Sequence, residues 1–306
     1  MDSLSIITNL KLFSNSIKKI LFFENLNLIA ISNDKIIKFL DSNSFEFKFQ
    51  IEKDFNKIID LEKFQQNFLL INDSNTLKIY KISKKSCVLF QIINFNTNLI
   101  LKFISTKKNI IISNNNKSIN IFNLNEEKNK FEKFSQINLD FNVENMIEIN
   151  INNINFLVTF SYFTHQLNFY ENFNLVYTIN NINSIKKNNI NNVLSYFNNI
   201  LFVLNEKIIY LFEIKYDNNR NNNNSFKLIK IIKLQTNINS FCKYKNLIIT
   251  GDENGSLYLW KNVNNKNFRL IKLLQKSHKK NINSIINVNN EFLLSSSEDG
   301  LIKIWS

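Results

Sequence analysis

The sequence predicts an all-β chain folded as a seven-bladed β-propeller, and three observations carry that reading. A hairpin pattern recurs seven times, with 40 to 48 residues between equivalent positions. Every copy is preceded by an apolar run, and all but the last are followed by an alternating one, so each unit has the four short strands of a propeller blade. The last unit lacks its fourth strand, and a spare β run stands at the other end of the chain, Ser3 to Leu10.

The best-formed hairpin lies at residues 290–306, NEFLLSSSEDGLIKIWS. An apolar-then-small run, FLLSSS, leads into Glu298-Asp299-Gly300, and LIKIW then alternates apolar and polar up to Trp305. Asp-Gly in a short loop is one of the strongest hairpin signals, because the turn needs residues that tolerate positive φ. Aligned on this turn and its closing strand, the other copies fall at 26–41, 66–81, 108–123, 154–171, 198–213 and 246–261. The position of Trp305 is then held by Leu40, Tyr80, Phe122, Tyr170, Phe212 and Trp260. Upstream apolar runs at 17–22, 58–64, 99–104, 143–149, 193–197, 238–244 and 282–288 supply inner strands. Alternating runs at 45–51, 88–93, 134–139, 175–179, 226–234 and 268–274 supply six outer strands. The seventh is expected from Ser3 to Leu10, which closes the ring and removes an exposed sheet edge. Residues 1–306 thus read as one domain. Two asparagine-rich stretches, 180–192 and 217–225, read as surface loops, since Asn accepts turn and left-handed conformations.

Composition narrows the function classes. A hydrophobic fraction of 44% describes a globular chain, and no run reaches the roughly 18 apolar residues that a membrane span needs. The N-terminus lacks the charged region, apolar block and small-residue site of a signal peptide. Cys87 and Cys242 are far apart, which fits buried thiols in a reducing compartment. Together these suggest an intracellular protein, nuclear or cytoplasmic, with no membrane partner. The net charge of +13 invites an acidic partner, yet 36 of the 38 basic residues are lysines and only Arg220 and Arg269 are arginines. Asn, Ile, Lys and Phe dominate and proline is absent, so drift toward AT-rich codons explains much of the lysine surplus.

SEDGLIKIWS and DENGSLYLWK resemble the repeats of the Trp-Asp (WD) repeat β-propeller family, which end in a Ser-x-Asp-x-x-Ile-x-Ile-Trp pattern. That family also carries Gly-His roughly 25 residues before the tryptophan, and here the pair is Ser277-His278. The sixth unit keeps Gly255, Trp260 and Glu253 and puts Asn254 where the last has Asp299; the first keeps Asp34; the third to fifth rest on spacing and alternation alone. The resemblance implies a structural hydrogen-bonded network of His278, Ser295, Asp299 and Trp305. The chemistry is consistent: an indole N–H needs an acceptor, a hydroxyl both accepts and donates, and a neutral imidazole can pass the chain to a carboxylate. A hydrolase triad of the same His, Ser and Asp is the competing reading. No metal-ligand spacing and no phosphate-cradling glycine loop are present, so neither metal nor cofactor is expected. His165 reads as a solvated turn residue.

Members of such a family mostly serve as rigid, non-enzymatic platforms. The expectation is therefore a scaffold for protein partners in a multiprotein or ribonucleoprotein complex, monomeric within it and without a small-molecule substrate. The alternative is direct RNA binding, as in ribosome assembly or pre-mRNA splicing. Candidate partner-binding residues are Lys53, Lys186, Lys187, Lys279 and Lys280, which strand order places at the end that carries the hairpin turns. Lys84-Lys85 and Lys107-Lys108 fall at or near the other end, so the basic residues are divided.

Overall fold

In the computed structural model the described residues are 4–52, 55–74, 76–95, 99–151, 153–161, 164, 166–179, 194–197, 200–205, 207–215, 225–263 and 267–306. Their strands form seven four-stranded antiparallel sheets, and the fold is a seven-bladed β-propeller. Among the described residues the helical content is one 3₁₀ turn, Glu24–Leu26, and no helix is long and apolar enough to cross a membrane. Both asparagine-rich stretches lie almost wholly outside the described residues, as does His165.

The chain divides into two compact units, residues 1–94 with 236–306, and residues 95–235. The first holds four blades. Blade 1 runs Lys19–Phe23, Leu28–Ser32, Ile37–Asp41, Phe47–Ile51, and blade 2 runs Asp60–Phe64, Phe68–Asp73, Thr76–Ile82, Cys87–Asn94. Blade 6 runs Ile238–Tyr244, Leu247–Asp252, Leu257–Asn262, Phe268–Leu274, and blade 7 has Ile282–Val288, Phe292–Ser297 and Leu301–Trp305. The fourth strand of blade 7 is Ile6–Lys11, antiparallel to Leu301–Trp305, so the N-terminal strand completes the last blade and closes the ring. Ser5 and Ser306 extend this ladder by exchanging backbone hydrogen bonds of 3.0 and 3.1 Å.

The second unit holds blade 3 (Ile100–Ser105, Asn109–Asn114, Ser118–Asn125, Lys130–Asn138), blade 4 (Asn145–Ile151, Ile154–Ser161, Gln166–Glu171, Asn174–Ile179) and blade 5 (Leu194–Phe197, Ile200–Asn205, Ile208–Lys215, Ser225–Lys233).

Within each unit the core lies between blades. A second strand is covered on both faces by its neighbours, which is why Leu28–Ser32, Phe68–Asp73 and Leu247–Asp252 are buried along their whole length. Their continuous apolar character follows from that two-sided burial. Leu21, Phe39 and Leu61 join blades 1 and 2, Ile20, Ile29 and Leu294 join blades 7 and 1, and Leu259, Leu293 and Trp305 join blades 6 and 7. In the second unit Phe160, Phe169 and Tyr210 fill the corresponding space between blades 4 and 5.

One feature recurs in every blade. The ladder between third and outer strand shifts register just before Leu40, Tyr80, Phe122, Tyr170, Phe212 and Trp260, and again between Ile304 and Trp305. Those are the seven positions that the repeat alignment brings together. At each one two large apolar residues stand in succession, such as Ile79-Tyr80 and Leu259-Trp260, where a plain strand would alternate. A bulge on the outer strand twists the edge and absorbs the mismatch. Among the described residues thirteen non-glycine positions have positive φ, and six are Asn, which stands in for the missing glycines.

Candidate functional site

Successive antiparallel strands place the second-to-third turns and the interblade connections at one end of each blade. In the first unit this hairpin-turn end is tied together by buried polar side chains. In blade 7, Trp305 Nε1–H donates to Ser295 Oγ at 2.9 Å, and Ser295 Oγ lies 2.8 Å from His278 Nε2. His278 Nδ1 lies 3.2 Å from Asp299 Oδ2, which also accepts the Lys279 N–H at 2.9 Å, while Oδ1 accepts the Leu301 N–H at 3.0 Å. One proton arrangement satisfies every link: indole to hydroxyl, hydroxyl to the unprotonated Nε2, and Nδ1–H to carboxylate.

Burial pulls the His278 imidazole below its ordinary pKa and outweighs the opposing pull of Asp299, so the ring is neutral. Burial alone would raise the Asp299 carboxyl; the Lys279 and Leu301 N–H groups and His278 overcome it and hold the carboxyl below the usual range. His278, Ser295 and Trp305 are 1, 0 and 2% exposed, so the hydroxyl has no open side for a substrate and is already the acceptor of an indole N–H.

The other blades of the unit do the same work with different residues. In blade 6, Trp260 Nε1–H donates to Thr250 Oγ1 at 3.1 Å. The carboxylate there is Asp252, not the turn residue Asn254 that aligns with Asp299. It accepts from the Thr236 and Tyr258 hydroxyls (2.8 and 3.1 Å) and from the Asn254 and Ser256 N–H groups. In blade 2, buried Asp73 accepts the Lys57 N–H and pairs with Lys78 Nζ at 2.8 Å. In blade 1 Asp34 is half-exposed and pairs with Lys18 at 3.6 Å; the buried turn acceptor is its neighbour Asn33, which takes the Lys35 and Ile36 N–H groups. Asp252 and Asp73 escape motif reading because each closes a buried strand. An acid at the end of an apolar run is the available signal.

Gly255 and Gly300 seat the interblade connections. Both have φ of +81°. A Cβ on Gly255 would stand 2.2 Å from the His278 carbonyl oxygen, and the Gly255 carbonyl accepts the His278 N–H at 2.8 Å. Close approach of two backbones, and not the turn alone, requires glycine here.

Of the five predicted partner-binding lysines, Lys53, Lys186 and Lys187 lie outside the described residues. Lys279 and Lys280 are exposed and follow His278 directly. Lys35, Lys57 and Lys276 are exposed at the same end of this unit, beside exposed Glu52 and Glu298. Both cysteines are free and half-buried, less enclosed than expected, and burial pushes each thiol up to about 12. Among the described residues no three His, Cys, Asp or Glu side chains are grouped as metal ligands.

Comparison with known proteins matches residues 269–306 to the family "WD domain, G-beta repeat", a range that holds the outer strand of blade 6 from its second residue and three of the four strands of blade 7, all but Ile6–Lys11. No curated protein matches the sequence. Among solved structures, the Cps50 (Swd1) β-propeller domain of Myceliophteria thermophila superimposes with a TM-score of 0.72 at 12% identity, over 99% of this chain and 99% of that one. Sqt1 of Saccharomyces cerevisiae gives 0.69 at 14% identity, over 99% and 98%. At these identities the likeness is one of fold.

Proposed function

We propose that this propeller, whose C-terminal repeat is of the WD type, is a non-enzymatic platform for protein partners within a larger multiprotein or ribonucleoprotein assembly. One observation carries the reading: the polar residues best suited to chemistry are sealed between strands and committed to holding tryptophans and turns. His278, Ser295 and Asp299 have the composition of a catalytic triad, but their hydroxyl is buried and engaged. What remains for partners is a rigid surface of loops. The hairpin-turn end, with Lys279 and Lys280 held beside the buried network, is the surface of choice for an acidic partner.

The test is affinity purification of the tagged full chain with mass spectrometry, with and without nuclease, set against the double variant Lys279→Glu/Lys280→Glu. A defined set of proteins that survives nuclease and is depleted by the double variant is expected. The exposed lysines at this end keep direct RNA binding as the second reading. Recovery that disappears with nuclease, and an affinity falling steeply with salt, would overturn the protein-platform reading in its favour.

A further inference from the structure

The outer strands of the blades are sheet edges, and exposed edges invite pairing with other chains unless charges blunt them. Five of the seven carry lysine or arginine: Lys48, Lys11, the trio Lys227, Lys230 and Lys233, Lys130 with Lys133, and Arg269 with Lys272. Two carry no charge at all, Cys87–Asn94 in blade 2 and Asn174–Ile179 in blade 4. Blade 2 has the longer, eight residues against six. It exposes Val88 (64%), Leu89 (46%) and Ile92 (44%).

The turn that leads into it is built to present charge. Ser83 N–H donates to the Ser86 carbonyl at 2.8 Å, and Ser83 Oγ accepts the Ser86 N–H at 3.1 Å. Lys84 and Lys85 stand at the tip of this closed turn, both exposed and, among the described residues, without a carboxylate partner. Two lysines therefore mark one end of an edge that is otherwise uncharged.

We propose that the outer edge of blade 2 binds an extended segment of a protein partner by strand addition, antiparallel to Cys87–Asn94, with acidic residues at the segment's C-terminal end. The polarity follows from the geometry. Every pairing in the sheet is antiparallel, so the C-terminal end of an added strand lies beside Cys87, next to Lys84 and Lys85. Alternate apolar side chains of the segment would meet Leu89 and Ile92 on one face of the sheet, with Val88 on the other, while main-chain hydrogen bonds provide affinity independent of sequence. A second copy of this chain is disfavoured as the occupant: paired antiparallel, it would set its uncharged Asn94 end beside Lys84 and Lys85, and each protein carries a charge of +13.

The probe is a fluorescent peptide of alternating Val and Thr followed by three glutamates, titrated into the full chain by anisotropy, with hydrogen exchange reporting where it binds. Saturable binding and new amide protection confined to Cys87–Asn94 are expected. Leu89→Lys and Ile92→Lys, both at exposed positions, should each weaken binding about tenfold or more without lowering Tm. Moving the glutamates to the peptide's N-terminus should weaken it comparably, as should Lys84→Glu/Lys85→Glu. Absence of binding at millimolar protein, protection elsewhere, indifference to the edge variants, or edge-dependent self-association in sedimentation would each overturn the proposal. Because this site lies on the rim, Lys279→Glu/Lys280→Glu should leave peptide binding unchanged, so failure here and failure of the hairpin-turn surface are separable.

Discussion

Neutral His278 makes the last blade acid-sensitive. Its folded pKa lies below 6.5, so the unfolded chain takes up a proton first as pH falls. The stability it contributes is complete above about pH 6.5 and declines below it, until the folded-state pKa is passed. Asp299, also lowered, adds a second loss as pH falls from the ordinary carboxylate value of 3.8 through its folded pKa. Lys19 acts in the opposite range. Burial works against its charge, Asp60 and Glu62 outweigh that, and its raised pKa gives stability that is lost only as strongly alkaline pH is reached. Urea unfolding between pH 7 and 5 should therefore show the midpoint falling with pH, and His278→Gln should flatten that slope while lowering the midpoint throughout. A slope unchanged in the variant would remove His278 as its source. The cost of His278→Ala at pH 7 is expected at about 2–4 kcal/mol, from the cavity and the stranded Ser295 and Asp299. The four residues were visible in the sequence through one well-kept repeat. Asp252, Asp73 and Asn33 were not, because a polar residue at a strand end has no motif until the strand is known to be buried.

At the scale of elements, five predicted strands, 238–244, 268–274, 282–288, 292–297 and 301–305, agree with the structure residue for residue. Others shift for identifiable reasons. Ile17 is buried but sits in a connection, with its N–H given to the Ser297 carbonyl, so the first inner strand begins at Lys19. The outer strand Lys130–Asn138 starts four residues before its apolar pattern, because a solvated edge needs no apolar residues to pair. Likewise the closing strand is Ile6–Lys11, displaced from the Ser3 to Leu10 run toward its polar end. Leu4 is nonetheless buried beside Trp305. Removing residues 1–12 strips Leu301–Trp305 of its outer partner and the core of Leu4. A loss of at least about 3 kcal/mol is expected, from one buried leucine and several ladder hydrogen bonds. Hydrogen exchange should show the new opening concentrated in Leu301–Trp305; an unchanged melting temperature would contradict the closure as a stabilising device.

For the whole molecule the central fact is that one compact unit is built from both ends of the chain, residues 1–94 and 236–306, while residues 95–235 form the other. The first unit is incomplete until Leu301–Trp305 meets Ile6–Lys11, a pairing far apart in sequence and so slow to form. Blades of a repeat fold are stabilised by their neighbours as much as by themselves. The second unit is also tethered to the first at both of its ends. We therefore propose that residues 1–306 unfold as one domain. Calorimetry should give a single transition whose van't Hoff and calorimetric enthalpies agree, and the deletion of residues 1–12 should lower that whole transition. Two resolved transitions, with only the lower one shifted by the deletion, would mean instead that the units melt independently.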